Sequence, residues 1–528
     1  MRDTVKLTFR MRLFFIVLSF LLILLLISSI CACDRLSAPK QDKEARALSL
    51  SYERKAVSLG TSLQDALSDL EIRLKGRSIL LSEVSLESDY DPGIPARYAV
   101  TVRYDDLSAT LSLRVVQNSD EDPDSLKRLG DVAKDYYYSE CIPSTGNVEV
   151  AVIPIGFSDR HYDGVSDLLE KAFNGTEEDT GWNSLRSFYE KSSYGKLHLH
   201  ATLFPTYETG LEWNENAEFS YYQRIVGEAF SFGGYNLDAR FDSDSDGFID
   251  CVYFVYLAPW RESDDLSPWW AYTDREIQTM QVLTEEPTEM PPQLGACVWM
   301  SIEFFDKLYS VFEGTERKIS TGVLIHETGH ALGLPDFYDI NGRYPGVGHL
   351  NTMGGTHGDH DPFSKAILGW TDPTFISVSD REKTLTPFEE NGATLIITKS
   401  GTKSLFDEAF IVCFFTPTGV FEKDAGKQGV FSKSGVLIYH ISAELRAPMN
   451  GSIPNIYLQN NSEEPFLIRV CEADGNNSIK STGMTSNGDL FSAGSTFSPK
   501  WDDGSSSGFM LRVLSVSESH ATLSIIIE

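Results

Sequence analysis

The sequence predicts a multidomain protein in which an α+β domain lies between two β-rich domains. Its 528 residues are enough for three or four domains. Near the middle of the chain, one apolar helical segment ends at a glycine and a proline. Short strands with period-two alternation precede this segment, and further strands follow it. These observations give an N-terminal β domain at 48–116, a central α+β domain at 146–372 and a C-terminal β-rich domain at 373–528.

The composition excludes a disordered chain and disfavours a nucleic-acid-binding protein. Apolar residues make up 41% of the sequence and include 31 phenylalanines, so a large core can form. The formal net charge is −31, which opposes binding to nucleic acids or anionic membranes through charge. We interpret the acidity as a solubility feature, helped by a few calcium sites.

The N-terminus predicts export from the cytoplasm. Four basic residues come first, namely Arg2, Lys6, Arg10 and Arg12. The run Leu13–Ile30 is uncharged and mostly apolar; it is longer than an ordinary signal core and just sufficient for a membrane-spanning anchor. The sequence Ile30-Cys31-Ala32-Cys33 resembles a bacterial lipoprotein processing site, with Cys33 as the lipidated residue.

Two modes of membrane tethering are open for residues 1–33: a lipoprotein signal or an uncleaved anchor helix. Residues 34–47 are polar and charged, and we expect them to form a tether. Both modes put the rest of the chain outside the cytoplasm, and lipid chains on Cys33 would give stable anchoring. The sequence therefore predicts an extracytoplasmic bacterial protein, anchored at the cell surface or secreted.

Five cysteines follow Cys33, an odd number that cannot complete a disulfide framework. They are Cys141, Cys251, Cys297, Cys413 and Cys471. Because several lie in apolar strand-like segments, we expect buried thiols. Cys141 comes just before the central domain, and an alternative is that it masks a metal ion in a latent form.

The N-terminal domain at 48–116 is predicted to consist of short strands. Tyr98–Tyr104 and Ala109–Val115 alternate with period two, and the turn 105–108 separates them. With the Asp89-Tyr90-Asp91-Pro92 element, this hairpin resembles a bacterial Ig-like module. The resemblance implies a small β-sandwich that serves as a spacer, an adhesive module or a prodomain, and we favour a spacer. Residues 117–145 are then a linker.

The central domain begins with elements that we interpret as scaffold. Val148–Phe157 is predicted to be a buried strand. Leu185–Leu199 is predicted to start as a helix and to continue as a strand. Ser193–Gly195 would form the tight corner between the two.

A run of aspartates predicts a calcium site. Asp242, Asp244, Asp246 and Asp250 match the spacing of a calcium-binding loop, and Gly247 supplies the sharp bend. Their carboxylates can wrap one ion, and the Phe248 carbonyl can add a ligand. Tyr253 stands where a bidentate glutamate would fall and a strand follows, so we expect a calcium loop on a β element. A solvated acidic turn is the alternative.

The segment Ile325–Asp336 predicts a catalytic zinc site. His326 and His330 are four residues apart and project from one face of a helix. Gly333 can end that helix in a left-handed conformation, and Pro335 prevents its continuation. Asp336 is then the first strong ligand after the turn. Two imidazoles and a carboxylate leave one position on zinc open for water, whose pKa falls to about 7.

Glu327, beside the first ligand, can take the proton from that water as it attacks a carbonyl. The alternative is that both histidines are structural residues on a buried helix, with hydrogen-bond partners and no metal ion. For the third ligand, the next glutamate is Glu382, beyond a Gly- and Pro-rich stretch, so Asp336 is favoured on reach and Asp339 is the backup. Weaker candidates are His349, His357 and His360.

Two further elements follow the predicted metal helix. Asn351–Gly355 is a tight turn that presents Met353 about seventeen residues after Asp336. Such a methionine is usually core filler, but beneath a zinc tripod it suggests the hydrophobic floor found in metzincins. Pro362–Trp370 is predicted to be a short closing helix.

The C-terminal domain at 373–528 is predicted to be β-sandwich-like, without a catalytic constellation. Its strands are Thr394–Thr398, Ala409–Phe415, Gly435–His440, Phe466–Val470 and Ala521–Ile527. His440 is interpreted as a strand residue with a local partner.

Several of these segments together resemble the immune inhibitor A-type family of secreted bacterial metallopeptidases. They are V-A-V-I-P-I-G-F-S-D, S-F-Y-E-K-S-S-Y-G-K-L, D-S-D-S-D-G-F-I-D, H-E-T-G-H-A-L-G-L-P-D-F-Y-D and N-T-M-G-G, within residues 146–372. The resemblance implies a metzincin-like zinc endopeptidase with structural calcium. By it, His326, His330 and Asp336 are ligands, Glu327 is the base and Met353 is the turn methionine. The N-terminal region departs from the family pattern because it looks Ig-like and not like a long inhibitory propeptide.

We therefore expect an extracytoplasmic zinc endopeptidase acting on proteins or peptides. Tyr338 and His357 are candidates for assisting the oxyanion. The alternative is a surface adhesin with a degenerate peptidase domain, against which the intact Glu327 argues. A polysaccharide-binding or polysaccharide-hydrolysing protein rests only on the β-rich modules, since no paired-carboxylate site demands it.

Overall fold

A computed structural model describes most of the chain after residue 47. The described residues are 48–51, 54–58, 60–68, 70–75, 77–93, 97–105, 107–116, 126–130, 142–244, 248–261, 267–274, 293–306, 318–338, 347–427, 429–444 and 465–528. The predicted signal or anchor with Cys33, the tether and most of the linker lie outside these ranges, as do Cys141, Asp246 and Asp339.

The fold is α+β, with several sheets and few helices, and the chain divides into two compact units at residues 117 and 118. Within the described ranges, no helix has the length and apolar character needed to cross a membrane.

The described residues of the first unit form seven short strands, one short α-helix and the 3₁₀ turn Leu81–Glu83. The strands and the helix are β1 (Leu48–Leu50), β2 (Arg54–Ser58), α1 (Leu63–Ala66), β3 (Ile72–Leu74), β4 (Arg77–Ile79), β5 (Ser85–Glu87), β6 (Arg97–Tyr104) and β7 (Leu107–Val116). One sheet has the order β1-β3-β4, and the other has the order β2-β7-β6-β5 with β2 parallel to β7. The predicted hairpin is present as β6–β7, but Tyr104 pairs with Leu107, so its turn is tighter than the four residues expected.

A mixed six-stranded sheet supports the candidate site in the second unit. Its strands are β8 (Gly146–Gly156), β9 (Leu197–Leu203), β10 (Tyr207–Glu208), β11 (Phe248–Tyr256), β12 (Tyr272–Asp274) and β13 (Gln293–Ser301). The order is β10-β8-β11-β13-β12, and β9 also pairs with β8. All pairs are parallel except β12 with β13. The central strands are buried on both faces, which explains their nearly continuous apolar sequences.

Eight helices of the second unit fall within the described ranges. They are α2 (Val165–Asn174), α3 (Glu177–Thr180), α4 (Leu185–Ser192), α5 (Phe219–Phe232), α6 (Gly322–Ala331), α7 (Pro362–Ile367), α8 (Phe388–Asn391) and α9 (Ser478–Thr482). The corner between α4 and β9 is tight because Tyr194 and Gly195 both have positive φ. This agrees with the helix-to-strand corner expected from the sequence.

Two further sheets form the C-terminal part. One consists of β14 (Thr374–Phe375), β16 (Thr394–Thr398), β17 (Glu408–Phe415), β18 (Gly435–Ser442) and β19 (Ile468–Val470) in that order. The other has the order β15-β22-β21-β20, with β15 (Asp380–Leu385), β20 (Thr496–Phe497), β21 (Phe509–Val516) and β22 (Ala521–Ile527).

Strand β17 is buried on both faces and belongs to two hydrophobic cores. Phe410, Val412 and Phe414 pack in the core between the two C-terminal sheets. Ile411 and Cys413, which point the other way, join the core that contains the residues of α4 and α6. The C-terminal sandwich therefore shares a continuous core with the region that was expected to be a separate central domain.

Part of the predicted linker also packs into the second unit. Leu129 lies in the same core, and Arg128 donates to the carbonyls of Ala366 and Thr371 and forms an ion pair with Asp372. The cysteines within the described ranges are thiols and not disulfides, as predicted: Cys251, Cys297 and Cys413 are buried, and Cys471 is half-buried.

Candidate metal centre

The helix α6 carries His326 and His330 on a buried face. Gly322 begins the helix where a side chain could not fit, because an added Cβ would lie 2.1 Å from the Thr356 carbonyl oxygen. Gly333 ends the following turn with a φ of +97°, as the sequence predicted. The chain then reverses and brings Asp336 back over the helix.

Asp336 meets both histidines at one point. Its Oδ1 atom lies 3.1 Å from the Nε2 atom of His326 and 3.1 Å from the Nε2 atom of His330. The two imidazole rings are nearly perpendicular, with centroids 4.8 Å apart. The three predicted ligands thus converge from a helix and from the bend beyond it.

Backbone carbonyls fix the orientation of both rings. The Nδ1–H of His326 donates to the carbonyls of Thr352 and Gly355, at 2.8 Å each. The Nδ1–H of His330 donates to the carbonyl of Leu334, also at 2.8 Å. A neutral imidazole with its proton on Nδ1 keeps a lone pair on Nε2, which is the form that binds a metal ion. Both Nε2 atoms therefore face Asp336.

The Asp336 carboxylate is suited to a positive partner. Its Oδ1 atom is buried, and neither imidazole contact has the geometry of an N–H hydrogen bond. Burial by itself raises the pKa of Asp336, but the two imidazoles hold it well below its usual range. For His326, burial lowers the pKa, and Asp336 and Glu327 outweigh that effect and raise it to about 9. Two nitrogens and one carboxylate oxygen that attract a cation fit the donor set of zinc.

Glu327 is buried beside the three candidate ligands. The Thr273 hydroxyl donates to its carbonyl oxygen at 2.8 Å and to its Oε2 atom at 3.0 Å. Burial raises the pKa of Glu327, and the neighbouring histidines counteract this in part. A raised pKa suits a carboxyl group that accepts and later returns a proton. Thr273, on strand β12, was not predicted, because residues joined only by tertiary structure have no shared sequence pattern.

Met353 forms the floor under the histidines. It is fully buried in the turn Asn351–Gly355, and the Asn351 side chain accepts a hydrogen bond from its backbone N–H at 2.6 Å. A Cβ at position 329 would lie 2.3 Å from the Met353 sulfur. Gly329 is therefore the residue of the helix that admits the methionine.

A buried polar network holds this floor in place. Asp359 accepts hydrogen bonds from Ser192 at 2.5 Å and from Lys365 at 2.6 Å, and both groups of the Lys365–Asp359 ion pair are almost fully buried. Thr352 and Asp359 are joined by a backbone hydrogen bond of 3.0 Å. The network ties the methionine turn to α4 and α7.

His349, His357 and His360, the weaker ligand candidates, do not belong to the group of three converging residues. His360 packs among Phe188, Tyr189 and Trp370, and burial lowers its pKa to about 3. It is a neutral core histidine. The rings of His349 and His357 are 4.1 Å apart and contact each other.

One candidate for oxyanion assistance borders the ligands. The ring of Tyr338 stacks on His326, with centroids 6.3 Å apart, and its hydroxyl reaches Asp336. Burial and the Asp336 charge raise the pKa of Tyr338, so it keeps its proton. His357 is buried and faces Gly355 in the methionine turn.

The predicted calcium loop brings three of its aspartates together. Carboxylate oxygens of Asp242, Asp244 and Asp250 lie within 4.8 Å of one another. Asp250 is buried, and burial with the nearby negative charges raises its pKa to about 7. Phe248 begins β11, so the loop precedes a strand and not a helix, as expected. Asp246 lies outside the described residues.

Two further groups of acidic and histidine side chains, close enough to share a metal ion, were not predicted from the sequence. Glu408, His440 and Asp502 converge in the C-terminal sandwich, but Lys399 binds Glu408 and Arg469 binds Asp502, so the group is an ion-pair network. His440 has a local partner in Glu408, as predicted. The other group consists of Glu472, Asp474 and Asp489.

No protein-family model matches this chain, and comparison with curated proteins finds no similar sequence.

Proposed function

We propose that this protein is a zinc-dependent endopeptidase that acts outside the cytoplasm on protein or peptide substrates. The observation that carries the proposal is the convergence of His326, His330 and Asp336, with both imidazoles oriented by backbone carbonyls. A pair of structural histidines would need only separate local partners, whereas here both Nε2 atoms converge on one buried carboxylate oxygen.

His326, His330 and Asp336 would hold the zinc ion. When bound there, zinc would polarise a substrate carbonyl and lower the pKa of water at its open position to about 7. Every donor atom needed on the protein side comes from one helix and the bend that follows it.

Glu327 is proposed as the general base. Thr273 holds one of its carboxylate oxygens, which limits the rotation of the side chain and leaves the other oxygen to accept a proton from the attacking water. The same carboxyl group would return that proton to the leaving amine. Tyr338, which stays protonated, could donate a hydrogen bond to a developing oxyanion beside the ligands.

The sheet offers a place for an extended substrate. Strand β12 is antiparallel to its neighbour and lies at the edge of the described part of the sheet, and its Thr273 contacts the proposed base. A peptide that adds to a sheet edge is held by main-chain hydrogen bonds. Its binding therefore depends little on which side chains it carries. This arrangement favours an endopeptidase over an enzyme specific for small molecules.

The remaining assignments extend this proposal. The catalytic region is proposed to be metzincin-like, with Met353 as its floor and calcium at the loop that contains Asp242 and Asp250. The first unit is proposed to be an Ig-like spacer, and Cys33 or an uncleaved helix would tether the protein to a membrane.

The decisive test replaces Glu327 with alanine. Glu327→Ala should keep one equivalent of zinc while casein cleavage falls by a factor of about 10²–10⁴, the usual contribution of a general base. Zinc content by atomic absorption and cleavage with and without chelator measure the two effects. Wild-type protein that binds zinc and cleaves nothing in a peptide library would favour the adhesin instead.

A further inference from the structure

A cluster of three carboxylates lies in the C-terminal part of the second unit, outside the candidate zinc and calcium sites. Carboxylate oxygens of Glu472, Asp474 and Asp489 lie within 4.8 Å of one another. Glu472 and Asp474 come from the loop after β19, and Asp489 ends the short 3₁₀ turn Asn487–Asp489.

Asp489 has a buried oxygen with no donor. The residue has no exposed surface, and its Oδ2 atom accepts a hydrogen bond from the Ser486 backbone N–H at 2.7 Å. Its Oδ1 atom is also buried and has no hydrogen-bond partner among the described residues. A buried carboxylate oxygen without a donor is costly unless a cation neutralises it.

The other two carboxylates are held in place by neutral donors. Glu472 accepts from the Ser478 and Ile479 backbone N–H groups at 2.5 and 3.2 Å. Asp474 accepts from the backbone and side chain of Asn476 at 2.9 and 2.8 Å. These bonds orient the carboxylates without supplying positive charge, in contrast to the Lys399 and Arg469 contacts of the Glu408 group.

A glycine permits the close approach of the two loops. A Cβ at position 488 would lie 2.7 Å from the Oδ2 atom of Asp474. Gly488 therefore lets the Asp489 turn sit directly against the Asp474 loop. Negative groups brought together in this way repel each other, so the packing favours a bound cation.

We propose that Glu472, Asp474 and Asp489 bind one calcium ion. All donors are hard carboxylate oxygens, which favour calcium over zinc or copper. The site would cross-link the loop after β19 to the turn that ends at Asp489.

The site also bears on the region around the candidate zinc centre. Thr485, in the cross-linked segment, packs against Gly348, where an added Cβ would lie 2.9 Å from its methyl carbon. Gly348 is three residues before Asn351, which begins the methionine turn. Calcium would thus stabilise the segment around Thr485 that packs beside the methionine turn, without contacting His326 or His330.

Hydrogen–deuterium exchange on the full zinc-loaded chain tests the proposal. Millimolar calcium should slow exchange in peptides covering 472–490 by at least tenfold in the wild-type protein. Asp489→Asn should abolish this protection, whereas Asp250→Asn, in the other acidic loop, should leave it unchanged.

Unchanged exchange of 472–490 in the wild-type protein on calcium addition would overturn the proposal, and so would protection that survives in Asp489→Asn. If Asp489→Asn does not fold, Glu472→Gln replaces it and should weaken the calcium response at least tenfold, an undiminished response again refuting the site.

Discussion

Gly329 lies between the two histidines that are candidate ligands, and its lack of a side chain shapes the site. It lies inside the helix, where glycine costs about 1 kcal/mol relative to alanine. Glycine is needed here because the Met353 sulfur occupies the space that a side chain at position 329 would fill. The sequence shows a glycine in a helical segment, but only the tertiary structure supplies the reason for it.

We expect Gly329→Ala to destabilise the protein by about 1–3 kcal/mol, the usual cost of overpacking a core. The added methyl group would displace Met353 and the backbone that holds His326, so zinc affinity should fall as well. Thermal unfolding and zinc titration measure the two effects.

Gly227→Ala is the matched control. Gly227 lies inside α5, and no described atom is within 4 Å of an added Cβ. This substitution should raise stability by about 0.5–1 kcal/mol and leave zinc binding unchanged. Equal behaviour of the two variants would contradict the role given to Gly329.

At the scale of elements, the short helix α7 matters more than its length suggests. Its N-cap residue Asp361 accepts from the Phe363 and Ser364 backbone N–H groups at 2.8 and 3.0 Å. The same carboxylate accepts from the Asn351 side chain at 2.5 Å. One residue thus starts the helix and anchors the methionine turn.

Asp361→Ala should lower the free energy of unfolding by about 1.5–5 kcal/mol. Loss of an N-cap costs about 0.5–2 kcal/mol, and the buried Asn351 amide that loses its partner adds about 1–3 kcal/mol. Chemical denaturation measures the loss, and zinc titration should show weaker binding because the turn carries the carbonyls that orient His326.

Ser184→Ala is the matched control. Ser184 caps α4 by accepting a hydrogen bond from the Ser187 backbone N–H at 3.1 Å. Within the described residues, its side chain has no hydrogen bond to the methionine turn. This variant should lose stability with little change in zinc affinity. Parallel losses of zinc affinity in the two variants would refute the anchoring role of Asp361.

The boundaries of many elements agree closely with the sequence. Thr394–Thr398 and Ala521–Ile527 are strands with the expected limits, and the turn after helix α6 ends at the expected Gly333. Alternation, glycine and proline act through local sterics, so they can be read without a structure. The closing helix is shorter than predicted and ends at Ile367, because Gly369 takes a positive φ.

At the scale of the second unit, the region of the candidate metal centre and the C-terminal sandwich share one hydrophobic core. Glu389, in α8 at the joint between them, is buried and accepts from the Thr416 backbone N–H at 2.9 Å. Nearby, the Tyr194 hydroxyl donates to the Phe388 carbonyl. Because the two regions share one hydrophobic core, they should unfold together.

Glu389 makes the stability of this joint depend on pH. Burial raises its pKa from 4.5 to about 8 in the folded protein. The neutral form is therefore favoured by folding, and its contribution is complete below about pH 4.5 and is lost as the pH rises through 8. The loss is on the order of a few kcal/mol.

Glu389→Gln, which keeps an acceptor for Thr416, should flatten the stability profile between pH 4.5 and pH 8. Urea denaturation at several pH values measures it, with the exposed neighbour Glu390→Gln as control. A profile equally steep in the wild-type protein and in Glu389→Gln would show that another group titrates.

The sequence by itself determined the local chemistry: a helix with two imidazoles four residues apart, its glycine stop, the aspartate beyond it and the alternation of the strands. These depend on residue type and spacing, which local sterics translate directly into structure. Only the tertiary structure decided which partners those residues meet. The carbonyls that orient His326, the Thr273 contact to Glu327 and the core shared through β17 join segments far apart in the chain, and such contacts depend on packing of the whole unit.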